Sequence, residues 1–150
     1  MITAEVKLWG TTVGTVYLPE GERFARFEYD KNFVSGGVEI SPISMPLSTN
    51  VYTFTVLPLN AFQGLPGLLA DSLPDKFGNT VINAWLVLQN REPDSMNAVE
   101  KLCYIGKRGM GALEFHPSLS EDFKVSEAVN VSQLTKLADE ISCDAFCRRA

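Results

Sequence analysis

Along the first sixty residues apolar and polar positions alternate with a period of two. Ala4, Val6 and Leu8 take turns with Glu5 and Lys7, the pattern of a strand with one face buried. Gly10-Thr11-Thr12 predicts a turn, and Val13 to Leu18 returns as the second strand of a hairpin. Pro19-Glu20-Gly21-Glu22 is a second turn cluster. Ala25, Phe27 and Tyr29 then alternate with Arg26 and Glu28 as a third strand. Asp30 to Gly37 predicts a loop with one helical turn around Phe33. Val38 and Ile40 begin a short extended stretch that Pro42 and Pro46 keep at a sheet edge or outside the sheet. Val51 to Val56, β-branched and aromatic, predicts a further strand.

The period changes at Gly64-Leu-Pro-Gly-Leu-Leu-Ala-Asp-Ser-Leu-Pro-Asp-Lys-Phe-Gly-Asn79. Pro66 suits a first helical turn, where its missing N–H is not needed, and Leu65, Leu68 and Leu69 form one apolar face. Pro74 biases Leu73 out of the helical region and breaks the run. Asp75 then caps a second helix by accepting from its exposed N–H groups. From Phe77 to about Gln89, Val81, Ile82, Trp85 and Leu86 stand at helical spacing. Gly78 near its first turn costs about 1 kcal/mol relative to Ala, which suggests that something packs closely there.

Arg91 to Asp94 reads as a loop with Pro93. Asn97 followed by Glu100 has the spacing of a reciprocal cap for a helix through Leu102 and Tyr104. Gly106 to Gly111 is a flexible loop, and Ala112 to Phe115 a strand that rejoins the sheet. Pro117 to Ser126 is a polar connector. Val131, Leu134, Leu137, Ala138 and Ile141 mark a final amphipathic helix. The fold class is therefore α+β: a small antiparallel sheet with helices packed to one side.

Composition narrows the function without naming it. The chain has 150 residues, 45% hydrophobic and 21% charged, enough to bury about two-thirds of its unfolded surface. A net charge of −5 and a pI near 4.9 disfavour direct nucleic-acid binding, and the largest basic runs are Lys107-Arg108 and Arg148-Arg149. No signal peptide is evident, and no apolar run approaches the roughly 18 residues that span a bilayer; a cytoplasmic protein with no membrane partner is expected. Cys103, Cys143 and Cys147 do not form a disulfide framework. With His116 as the one histidine, they do not supply the ligands of a metal site either.

Candidate chemistry is sparse. Gly106-Lys107-Arg108-Gly109-Met110-Gly111 is glycine-rich and basic, which allows a phosphate cradle in principle. It lacks the P-loop lysine and hydroxyl at their positions and the kinase order of glycines. It also follows a helix rather than preceding one, so a structural turn with a solvated basic pair is the simpler expectation. A small nucleotide-binding domain or enzyme built on this loop is the alternative.

Asp71 and Asp75, four apart, have the spacing of paired carboxylates. Capping accounts for Asp75, and a side-chain to backbone hydrogen bond for Asp71. His116 has no nucleophile in a recognisable elbow and reads as a partly buried histidine. Trp9 and Trp85 read as core, though an exposed tryptophan would be a contact hot spot. Phosphoryl transfer needs a lysine on the nucleotide, a catalytic aspartate and metal ligands, and nothing here supplies that constellation. No catalytic, cofactor-binding or metal residue is assigned.

Two segments carry a resemblance. Ala70-Asp71-Ser72-Leu73-Pro74-Asp75-Lys76-Phe77-Gly78 resembles a motif region of the N-terminal subdomain of the HipA family, the serine/threonine kinase toxins of bacterial toxin–antitoxin pairs. Leu102 to Pro117, containing Ile105-Gly106-Lys107-Arg108 and Gly111-Ala112-Leu113, resembles the family's "IGR…GAL…P" segment. The resemblance covers about residues 4 to 117. It implies a subdomain at 1–117, with 118–150 a connector and helix leading toward a kinase core absent from this chain.

By the same resemblance the function is regulatory, exercised either as a fragment of a HipA-like kinase or as a stand-alone subunit that restrains a separate one. The implied partners are that kinase core and a HipB-like DNA-binding antitoxin, with ATP and Mg bound only in the kinase core. Leu73, Pro74, Asp75, Lys76 and Phe77 at the kinked turn, and Lys107, Arg108 and Met110 in the loop, are the expected partner contacts. Kinks and loops present side chains better than a sheet face does.

Overall fold

A two-residue turn starts the sheet. Trp9 and Gly10 both have positive φ, 49° and 81°, the type I′ geometry that matches the twist of flanking strands. It joins β1 (Ile2–Leu8) to β2 (Thr11–Leu18), with Leu8 opposite Thr11. The turn therefore starts one residue earlier than Gly10-Thr11-Thr12 suggests, and both threonines belong to β2. Trp9 is 82% exposed at its tip, which corrects its expected place in the core; Trp85 is half-buried.

β3 (Arg26–Tyr29), β4 (Val51–Tyr52) and β5 (Leu113–Pro117) complete an antiparallel sheet in the order β4-β3-β2-β1-β5. Ala4, Val6, Val16, Phe27 and Phe115 are buried, one set of alternate positions as period two requires. The register shifts between Val6, opposite Gly14, and Lys7, opposite Thr12. Val13 is thus an extra residue, and this bulge buries two successive residues, Val13 and Gly14. A Cβ on Gly14 would stand 2.3 Å from the Glu28 carbonyl oxygen, so glycine alone fits.

The strand expected from Val51 to Val56 stops at Tyr52. Only Val51 and Tyr52 find partners, Glu28 and Phe27, and the chain turns at Thr55-Val56 before Pro58. β-branched composition favours an extended backbone, but a strand ends where its partner does. The stretch from Val38 pairs with no strand and forms bends and turns. Its anchor is Met45, buried, whose carbonyl accepts from the Tyr29 hydroxyl at 2.8 Å.

Around Phe33 the chain forms a helix rather than one turn, α1 (Lys31–Gly36). Its N-cap Asp30 accepts from the N–H groups of Asn32 and Phe33, and Gly37 closes it at φ 71°. Two short helices follow, α2 (Leu59–Phe62), which no sequence signal announced, and α3 (Gly67–Ala70). Pro66 is the N-cap of α3 rather than in its first turn, so Leu65, buried with Leu69, precedes the helix.

α4 (Lys76–Leu88) starts at the predicted Asp75 cap. α5 (Ala98–Ile105) starts at the predicted capping box, both of whose hydrogen bonds are present. α5 packs against β1, β2 and β5, with Val99 and Leu102 fully buried. The fold is α+β, as expected.

The computed structural model describes residues 2–109, 111–118 and 136. Met110, the connector beyond residue 118, the predicted helix over Val131 to Ile141, Cys143 and Cys147 lie outside the described residues. Those described form two compact units, one of 2–73 with 97–118, the other containing 74–96. The second unit holds α4. Asn83 bridges from it to Asp94, its amide nitrogen donating to the Asp94 carboxylate at 2.9 Å and its oxygen accepting from the Asp94 N–H at 3.0 Å. No helix among the described residues is long and apolar enough to cross a membrane.

Candidate functional site

The Gly64–Asn79 stretch is divided between the two units after Leu73. In the first unit Gly64, at φ 79°, passes directly against Arg23: an added Cβ would lie 2.1 Å from the Arg23 carbonyl oxygen. The Gly64 carbonyl accepts from the Ala25 N–H at 2.8 Å. Beside it the side-chain oxygen of Gln63 accepts from the buried Lys101 ammonium at 3.2 Å. Leu73 is half-buried, its N–H donating to the Ala70 carbonyl.

In the second unit the Asp75 carboxylate accepts from the Gly78 N–H at 2.7 Å. The Asn79 amide donates to the carbonyls of Pro74 and Asp75, each at 2.9 Å. A Cβ on Gly78 would meet the Pro74 ring at 2.8 Å, so the close packing that its position implies comes from the break itself. Asp71 and Asp75 are both exposed, without the burial that general acid–base work requires. Asp75 is exposed but occupied by capping, Pro74 is half-buried, and Lys76 and Phe77 are exposed beside it.

The Gly106–Gly111 loop follows the C-terminal end of α5. The Gly106 N–H donates to the Leu102 carbonyl at 2.9 Å, and the Arg108 N–H to that of Ile105 at 3.0 Å. Amides turned back onto a helix end do not cradle phosphate, and the dipole at that end attracts cations instead. Arg108 takes that place: its guanidinium donates to the Tyr104 carbonyl at 2.9 Å and lies 5.7 Å from the Tyr104 ring centroid. Lys107 stands 3.7 Å from the Glu114 carboxylate. Both basic side chains are exposed, and each folds back on its own unit.

Beside the loop, the polar face of the sheet is a checkerboard of charge. Glu5 pairs across the strands with His116, and Lys7 with Glu114. The Thr12 hydroxyl donates to Glu5 at 2.6 Å, and the Lys7 ammonium lies 3.3 Å from the other Glu5 oxygen. The Thr12 hydrogen bond holds the Glu5 carboxyl below its ordinary value, against the opposing pull of partial burial and with help from Lys7 and His116. His116 is half-buried, 3.5 Å from Glu114. Among the described residues no group of three or more His, Cys, Asp or Glu could hold a metal. Burial pushes the Cys103 thiol up to about 11, which leaves it unreactive at neutral pH.

One concave surface was missed in the sequence. Behind the hairpin tip an open groove of about 490 Å³ is lined by Leu8, Trp9, Thr12, Asp30, Phe33 and Val38 among others. The strand end carries Leu8 and Trp9, the bulged strand Thr12, and α1 Phe33. The signal that would have found it is Trp9-Gly10 between two alternating runs, a two-residue loop that must turn its first side chain to solvent.

Comparison with known proteins places a family on this geometry. The family described as HipA N-terminal domain matches residues 4–116. No curated protein matches the chain significantly.

Proposed function

The chain belongs to the HipA N-terminal domain family, and we propose from that premise that it is the regulatory and interaction subdomain of a HipA-like serine/threonine kinase toxin. The observation that carries this reading is the extent of the match. Among the described residues, 4–116 take in the sheet from Ala4 to His116 together with helices α1 to α5. In this proposal the chain acts in the cytoplasm by binding a kinase core, with a HipB-like antitoxin as a further partner. ATP and Mg belong to the kinase core, and no residue of this chain is assigned a catalytic role. Lys76 and Phe77 at the kinked corner, flanked by Leu73, Pro74 and Asp75, are proposed contacts, with Lys107 and Arg108 as a second set.

Titration of the chain into a HipA-like kinase core from the same organism, followed by an autophosphorylation assay, tests the proposal. Saturable binding with lowered phosphate incorporation is the expected result. Absence of binding at tens of micromolar, where weak partners still associate, would overturn it.

A further inference from the structure

Trp9 combines two features that folding does not reward. It is 82% exposed, so its ring adds little to the core, and it occupies the left-handed region at φ 49°. That position of a type I′ turn favours Asn, Asp or Gly, and a bulky residue there is an outlier. Strain of this kind persists where function requires the side chain. Exposed tryptophan is also the residue type most often found to dominate a protein contact.

The groove beside it says what kind of segment fits. Leu8, Phe33 and Val38 give it an apolar lining, and Val38 is 56% exposed. Among the described residues Asp30 is the one charged side chain in the lining. Both of its capping bonds fall on Oδ1, which leaves Oδ2 open among the described residues. An anionic acceptor beside apolar surface, with no cation among the described lining residues, complements an apolar side chain next to a basic one.

We propose that the Trp9 hairpin tip and the groove behind it form a docking surface for the kinase partner, taking a segment that presents an apolar side chain beside a lysine or arginine. This rests on the reading that the chain binds a HipA-like kinase core, and it adds a surface that neither sequence motif contains. Trp9 is the anchor, Leu8, Phe33 and Val38 receive the apolar side chain, and Asp30 receives the cation.

Calorimetric titration of the full chain into a HipA-like kinase core from the same organism tests it, with thermal unfolding of each variant alongside. Trp9→Asn creates the favoured Asn-Gly turn, so its melting temperature should hold or rise while binding weakens by about 30-fold. Asp30→Asn keeps a good N-cap but removes the charge. It should weaken binding about tenfold and blunt the loss of affinity with added salt. Val56→Ser, exposed and outside the groove, serves as the control and should leave affinity unchanged. Unchanged affinity of Trp9→Asn, or a fall in its melting temperature that accounts for the lost binding, would overturn the docking surface while leaving the kinase partnership in place. Failure of the unmodified chain to bind the kinase core would overturn the partnership, and the docking surface with it.

Discussion

Gly64 and Arg23 cross with no room between them: a Cβ on Gly64 would come within 2.1 Å of the Arg23 carbonyl oxygen, and Gly64 holds φ 79°. Backbone on the far side cannot rotate away as a flexible side chain does. Gly64→Ala therefore adds a backbone clash to a strained conformation, and should cost about 2 to 4 kcal/mol. Urea unfolding followed by circular dichroism measures it; a loss near zero would mean that the crossing opens without cost.

Thr12 and Glu5 couple stability to acid. The folded state holds the Glu5 carboxyl below its ordinary 4.5, chiefly through the Thr12 hydroxyl. A carboxyl with a depressed folded value contributes stability that is present above its unfolded value and is lost as pH falls through the folded one. Thr12→Val should thus lose stability at neutral pH and show a shallower decline between about pH 5 and pH 3. Thermal unfolding across that range checks it, and parallel curves for the two proteins would contradict the coupling.

Tyr29 couples stability to base. Burial, then the nearby Tyr52 and Glu39, pushes its phenol up to about 12, and the hydroxyl donates to the Met45 carbonyl. The fold favours the protonated phenol, so the contribution is complete below the ordinary value of 10 and is lost as pH rises toward 12. Tyr29→Phe should cost about 1 kcal/mol at neutral pH and flatten the alkaline decline. Denaturant unfolding at a series of alkaline pH values reads both effects.

Nucleotide should leave the chain indifferent. The Gly106 and Arg108 amides are spent on α5 carbonyls, and ligand binding to the folded state must raise its melting point. ATP with Mg at about 1 mM should move the thermal midpoint by less than about 1 °C. A rise of several degrees would revive the loop as a nucleotide site.

Much of the fold was legible because its signals are local. Alternation placed β1, β2 and β3, since side-chain direction on a strand follows from the backbone alone. Asp75, and Asn97 with Glu100, marked the starts of α4 and α5, because a cap is made within three or four residues. The two motifs of the resemblance lay on such elements, and the family match over residues 4–116 agrees with them.

What the sequence by itself determined was therefore β1 to β3, the starts of α4 and α5, the α+β class and the family. Only the tertiary structure decided where β4 ends, that Val13 is a bulge, that Gly64 lies on Arg23, and that Lys101 is buried against Gln63. Each depends on a partner on another element: Val51 and Tyr52 pair with β3, while Thr53 to Val56, of similar composition, do not. Trp9 makes the same point for the candidate site. Its apolar ring suggested the core, but a two-residue turn between paired strands leaves its first side chain no core to enter, and the groove beside it exists only once α1 lies next to β2.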